Sequence, residues 1–336
     1  RVDEYVESHE HVPAAVTRAM EAGGVEEFRL FVEDDVAVCV VEAESFEAYQ
    51  ERYESDEACL EWEAHVDQFK RSGVDPETVT AATYNPRDGF ADPYLALQGF
   101  ADAAREQGVD IRTGTAVTGV RQESGRVVGV EVASEGAPSD GAIDADAVVN
   151  AAGPWAGELA SMAGIDIPIE PQRRQALVVD PERPVPETDP LTIDLETSSH
   201  FRPERDGAAV VGGYFDDEPE TPDPDSFSES YDVAWAAETV ERAGVYCDYF
   251  GDGTRLKRGW AGLYAVTPDH HPIVEESMPG FVQAVGFSGH GFQHAPATGQ
   301  VVAELVLDGE ASTVDVSDLG SDRFERDDLL HERNVA

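Results

Sequence analysis

The chain has 336 residues, 41% of them hydrophobic, which is material for two domains and a sizeable core. With 69 acidic residues against 23 basic ones the net charge is −46, which excludes nucleic acid as a partner. The acids are spread along the chain, and only Lys70 and Lys257 are lysine, so the expectation is a halophilic cytoplasm where salt screens self-repulsion. No run approaches the ~18 apolar residues of a membrane span, no signal-peptide pattern opens the chain, and Cys39, Cys59 and Cys247 have neither disulfide nor zinc spacing.

The chain begins at Arg1 rather than methionine, as a fragment would. Residues 1–73 predict a small α+β domain. Val12 to Met20 has helical spacing ended by Gly23 and Gly24; Phe28 to Phe31 and Val36 to Val41 read as strands around Glu33-Asp34-Asp35; Phe46 to Tyr53 and Cys59 to Phe69 read as helices. The segments DEYVESHEHVP, AMEAGGVEEFRLFV and DEACLEWEAHV resemble the L-rhamnose mutarotase family of small dimeric α+β barrels. The resemblance implies a ferredoxin-like domain lacking its first strand, sugar binding and proton movement by Tyr5 and His9, an aromatic wall at Trp62, and a homodimer formed through this domain. Phe28 departs from the family's usual tyrosine, and HEHVP is one residue short of its pattern. The residues themselves equally allow His9 and His11 to be exposed helix-start positions with no catalytic part.

Residues from Gly73 to Pro93 form a proline-containing connector, placing a boundary near residue 74. Tyr94 to Gln107 spaces its apolar residues as an amphipathic helix closed by Gly108, and Val109 to Thr113 follows as a strand. Thr115 to Arg121 and Arg126 to Val132 alternate about a Ser124-Gly125 turn, and Ile143 to Asn150 returns as one buried strand. Ala151-Ala152-Gly153 then opens a helix from Trp155 to Ala163.

Residues 165–258 alternate like antiparallel strands between proline-rich turns, as a substrate-facing sheet would. Arg173, Arg174 and Arg202 are notable in so acidic a chain, because a guanidinium can clamp a carboxylate bidentately; pairing with surface acids is the other reading for each. His200 and Tyr264 are candidates to line the same pocket. Thr221 to Ser230 is an acidic loop and Tyr231 to Ala243 a helix. Phe281 to Val285 is a short apolar strand; Gly286, Gly289 and Gly291 allow tight turns, and Ala295 to Leu307 is a helix stopped by Gly309. A glycine-rich loop feeding a helix N-terminus presents unpaired N–H groups to an electron-rich group. His290 and His294 have HxxxH spacing, but no carboxylate follows His290 as a zinc helix requires, so no metal is expected.

The segments WAGLYAVTPDHHPIV and GFSGHGFQHAPATGQ, with NPRDGFADP upstream and Arg323-Phe324 near the end, resemble the D-amino-acid-oxidase-like FAD-dependent oxidoreductases, especially the branch of sarcosine and dimethylglycine dehydrogenases. The resemblance covers about three quarters of the chain. It implies an α/β fold over residues 74–336: a partial FAD-binding Rossmann-like domain (94–164 and 259–330) with an antiparallel-sheet substrate domain (165–258). It implies FAD contacts at Val117, Ala152, Gly153, Trp155, Gly262, Gly289, His290, Gly291, Phe292 and Gln293. It further implies an amine or amino-acid substrate against Arg174, His200, Arg202 and Tyr264, oxidised by hydride transfer to flavin. The family's N-terminal GxGxxG unit is absent between Arg1 and Ala336, and the mutarotase-like segment stands in its place. Either the unit precedes Arg1 or two incomplete genes are fused, the latter being simpler; weak or lost FAD binding would follow, leaving a mutarotase or a noncatalytic remnant as alternatives.

Overall fold

The computed structural model describes residues 8–9, 11–22, 24–33, 36–43, 52–53, 56–67, 89–134, 141–215, 220–326 and 329. Tyr5, and most of the helix expected from Phe46 to Tyr53, lie outside the described residues. The chain divides into two compact units, Arg1–Gly89 and Phe90–Ala336.

In the first unit, α1 (Ala14–Ala22) and α2 (Glu57–Asp67) accompany an antiparallel hairpin of β1 (Val25–Glu33) and β2 (Val36–Ala43). Val16, Ala19 and Cys59 form its small buried cluster, with Trp62 packed at the edge.

The second unit opens with α3 (Pro93–Glu106). Asp92 caps it, its carboxylate accepting from the Leu95 N–H at 3.0 Å, and Pro93 occupies the first turn, where its missing N–H costs nothing. No residue of α3 is buried. The strand expected from Val109 to Thr113 is not formed: these residues are exposed, and the Val109 N–H instead donates to the Ala104 carbonyl, closing the helix. β3 (Thr115–Glu123), β4 (Arg126–Ser134) and β5 (Gly141–Asp144) make an antiparallel sheet, with Ser124 and Gly125 at φ 55° and 79° in the turn that the sequence predicts.

The expected single strand from Ile143 to Asn150 is two strands in two sheets. β5 ends at Asp144, and β6 (Val148–Asn150) joins a second sheet beside β13 (Phe281–Val285), parallel to it, while β12 (Ile273–Met278) lies antiparallel on the other side. The break arises because Ala145 still donates to Val128 while Val148 donates to Gly280, so the chain changes partners within three residues. A 3-10 turn over Gly153–Trp155 leads into α4 (Ala156–Met162), which packs Ala156 and Ala160 on Ile273 and Val285.

The third sheet is fully antiparallel, in the order β11 (Arg255–Val266), β7 (Glu170–Asp180), β10 (Ala209–Gly213), β9 (Ser199–Pro203) and β8 (Thr192–Asp194). Leu177, Val179, Phe201 and Val211 point from one face into a core with Ala236, Ala243 and Tyr246 of α5 (Val233–Tyr246). That face is sealed by the helix. Period-two alternation sends Arg174, Ala176, His200, Gly212, Trp260, Gly262 and Tyr264 to the opposite face. α6 (Gly291–Leu307) begins four residues before the expected Ala295, with Pro296 inside it.

Candidate active site

Cross-strand register builds the site. Trp260 is opposite Ala176, Ala176 opposite Gly212, Gly212 opposite His200, and His200 opposite Ile193, giving one row across the sheet; Gly262 sits opposite Arg174 in the next. Small residues thus floor the middle while large ones wall it. The result is a cavity of about 190 Å3 lined by Arg174, Ala176, His200, Trp260, Gly262 and Tyr264 among others. Gly262 has open space where a Cβ would stand, so the floor is accessible there. At Gly212 a Cβ would lie 2.5 Å from His200 Nε2, so only glycine lets the imidazole lie flat across β10.

Three of the four expected substrate residues therefore meet at one cavity. The fourth, Arg202, is outside its lining: its guanidinium is 3.7 Å from the Glu204 carboxylate and lies over the Phe90 ring at 5.4 Å. Arg173 turns to the other face, with its side chain 5% exposed. It donates to Asp232 at 2.7 Å and to the carbonyls of Ser228 and Ser230, which pins the acidic loop and leaves no fork for a ligand. Adjacent strand residues point oppositely, so only one of the two arginines could reach the cavity.

Arg174 is held by π-stacking. Its guanidinium carbon is 3.7 Å from the centre of the Tyr214 ring and 5.3 Å from that of Tyr264, and it donates to Gln172 Oε1 at 2.8 Å. Burial raises the Tyr264 phenol above its ordinary pKa despite the lowering effect of Arg174, so it stays protonated at neutral pH. Burial, reinforced by the charge of Arg202, lowers His200 to about 4, and its Nδ1 has no hydrogen-bond partner among the described residues. The site thus presents a cation, a neutral imidazole and a phenol.

The glycine-rich loop meets this face directly. Gly289, at φ 93°, presses so closely under Tyr264 that a Cβ there would overlap the ring. His290 stands at the N-cap of α6 without a side-chain cap bond, and Phe292, Gln293 and His294 are exposed, so the first turn offers its N–H groups to a ligand. Behind it, the Asn150 amide donates to the Ala156 carbonyl at 2.9 Å and to Gln283 Oε1 at 2.8 Å, and accepts from the Ala152 N–H at 3.1 Å. This buried pair shapes the turn through Ala152 and Gly153. Gly153, at φ 54°, has open space where a Cβ would be, and Trp155 donates to Asp225 at 2.8 Å. Val117 stands on β3 opposite Val132, with 36% of its surface exposed. An uncapped helix start, an open glycine turn and exposed apolar residues around both fit a large planar cofactor with an electron-rich edge.

Sequence reasoning missed Trp260, Tyr214, Asn150 and Gln283. Trp260 had a signal, being two and four residues before Gly262 and Tyr264 on the same strand face. In the first unit, His9 lies 5.5 Å from Trp62, ring centre to ring centre, and His65 is 5.7 Å from Trp62. Among the described residues no cluster of His, Cys, Asp or Glu has metal-holding geometry.

Comparison with known proteins agrees with this architecture. L-proline dehydrogenase from P. horikoshii superposes with a TM-score of 0.67 at 26% identity, covering 98% of this chain and 83% of that one. Glycine oxidase from Geobacillus kaustophilus, at 22% identity and a TM-score of 0.55 over 67% of this chain and 56% of that one, shares the fold. FAD-dependent oxidoreductase domain-containing protein 1 of Mus musculus is 29% identical over 322 residues, covering 85% of this chain and 63% of that protein. Sarcosine oxidase subunit beta of Rhodobacter capsulatus is 28% identical over 261 residues, or 77% of this chain and 58% of that protein. The chain thus spans about three fifths of the length of these curated relatives. The FAD dependent oxidoreductase family matches residues 6–305, a span that takes in residues 6–73 along with the cavity and the glycine loop, and the chain belongs to that family.

Proposed function

We propose that this protein oxidises a small amine or amino acid, with FAD seated between the glycine loop and the turn after β6 and the substrate in the cavity above Gly262. One observation carries the reading: Tyr264 is shared, with Gly289 of the cofactor-facing loop beneath its ring and Arg174 of the cavity wall beside it. A group held by the loop and a molecule held by the arginine would therefore be neighbours. In support, sarcosine oxidase subunit beta and a D-amino acid dehydrogenase of Cereibacter sphaeroides, 31% identical over 244 residues, are named for such substrates.

FAD, when bound, supplies the acceptor for a hydride from the carbon bearing the amine. Gly289 to Gln293 would border its ring edge, the N–H groups of Gly291 to Gln293 and the helix dipole facing it while the His290 N–H holds the turn through the Phe287 carbonyl. Ala152, Gly153 and Trp155 would border its phosphates; Val117 would hold its adenine end and Gly262 would leave room at its face. Arg174, with its plane fixed by two tyrosine rings, binds the substrate carboxylate through its edge. His200 is uncharged at neutral pH and disfavours carrying a proton, so its unpartnered ring nitrogen serves to hydrogen-bond and orient the substrate amine. The amine enters as the neutral free base, with its lone pair available to assist hydride loss. The Tyr264 hydroxyl and the Trp260 ring orient the substrate between them.

We place the protein in a salt-rich cytoplasm on the strength of its −46 charge and two lysines. No helix among the described residues is long and apolar enough to cross a membrane. A second reading, sugar mutarotation by the first unit as a homodimer, rests on the sequence resemblance of residues 1–73 alone. The test is an absorption spectrum of protein purified in high salt, loaded with FAD and then freed of excess. Bound flavin bands that bleach anaerobically with an amino acid or amine support the proposal, and Arg174→Lys should raise KM about tenfold for carboxylate-bearing substrates at little change in kcat. A folded, colourless protein would sink it.

A further inference from the structure

Arg323 is the largest fully buried side chain of the described residues, at 1% exposure, and it lies far in sequence from the acid it pairs with. Its Nε and Nη2 donate to the two oxygens of Asp269 at 2.7 and 3.0 Å, Nη2 also to the His271 carbonyl at 2.8 Å, and Nη1 to the Gly320 carbonyl at 3.0 Å. Asp269 is equally buried and accepts from the His271 N–H at 3.2 Å. Desolvating both charges offsets most of what their attraction gains, so stability alone is a weak reason for such a pair; a fixed geometry is a better one.

The geometry continues toward the cofactor-facing loop. The His271 carbonyl that takes the Arg323 bond also accepts from Thr267 Oγ1 at 2.7 Å. The Thr267 N–H donates to Ser288 Oγ at 3.3 Å, and Ser288 Oγ donates to the Gly286 carbonyl at 3.2 Å. The Ser288 N–H donates to the Ala265 carbonyl at 3.0 Å. Ser288 is held at φ 49°, where a serine does not rest unaided, and the Thr267 methyl lies 2.5 Å from where a Gly286 Cβ would be. Arg323, Asp269, Thr267 and Ser288 are all buried.

We propose that Arg323 is a positioning residue: acting through Asp269, His271 and Thr267, it fixes the loop from Gly286 to His290 and thereby aims the first N–H groups of α6. The proposal rests on reading that loop as the cofactor contact. Its effect on the loop, however, is measurable without any cofactor.

The experiment is hydrogen exchange of the full chain in high salt, without FAD, comparing peptides over residues 281–295 with peptides of β7 and β10, alongside FAD titration by fluorescence. Arg323→Lys keeps the charge and loses the fork; Thr267→Val leaves the ion pair intact and cuts the relay midway; Thr267→Ser restores the hydroxyl. Each of the first two should speed loop exchange about fivefold, the weight of one lost hydrogen bond, while β7 and β10 stay protected, and Thr267→Ser should return most of the protection. FAD affinity should fall in parallel. If Thr267→Val leaves the loop unchanged, or Arg323→Lys speeds exchange everywhere alike, the pair is a general clamp and the proposal fails. Should the wild type bind no FAD while the loop responds as stated, positioning stands and the flavin reading falls. Where Arg323→Lys does not fold, Thr267→Val decides the matter alone.

Discussion

Lowering the pH should expose His200 as a linked stability switch. In the fold its pKa lies at about 4, mainly because burial disfavours the cation and secondarily because Arg202 repels it, while in the unfolded chain it returns to about 6.5. The unfolded state therefore takes up the proton first as pH falls. Stability is fully present above about 6.5 and is lost progressively down to about 4, where the loss saturates near ~3 kcal/mol. The pI of 4.2 makes the lower end of that window prone to precipitation, so pH 5 is the practical limit, where the loss should be about 2 kcal/mol. Urea unfolding at constant high salt, wild type against His200→Gln, separates this proton from the many carboxylates, because the variant shares everything except the imidazole. The difference between the two proteins should shrink by about 2 kcal/mol from pH 7.5 to pH 5. A difference that stays constant to within about 0.5 kcal/mol would refute the buried, neutral imidazole.

Gly289→Ala drives a Cβ into the Tyr264 ring at a backbone φ of 93°, and should cost about 1–3 kcal/mol in urea unfolding while weakening FAD binding by spectral titration. Asn150→Ala strands the Ala152 N–H and the Ala156 carbonyl; a loss of roughly 2–4 kcal/mol is expected, and an unchanged melting midpoint would contradict the buried amide pair. Cys247 is buried and its thiol is pushed up to about 11, chiefly by that burial, so peptide mapping after iodoacetamide treatment near pH 8 should find it unmodified in the native protein and modified in urea.

Local patterns carry the parts of the fold that depend on neighbours in sequence. The β3–β4 hairpin about Ser124-Gly125, the capped helix α3 and the alternation of the five-stranded sheet all follow from periodicity and turn chemistry acting within a few residues. The glycine loop before α6 is legible for the same reason, since Gly286 and Gly289 both stand at φ values that favour glycine. The acidity of the surface follows from composition alone, because a net charge of −46 has nowhere else to go but into water.

Choices among distant partners belong to the tertiary structure. Alternation states that Arg173 and Arg174 oppose each other, but only the position of α5 decides that Arg173 meets Asp232 while Arg174 faces the cavity. The run from Ile143 to Asn150 has the pattern of one strand, yet competing backbone partners at Val128 and Gly280 divide it between two sheets. Asp269 and Arg323 stand in two separate segments that carry the family resemblance, but their pairing across 54 residues becomes visible only when both are buried together. A sequence determines what each residue can do alone; which of those capacities is used depends on the desolvation and geometry that distant chain segments impose.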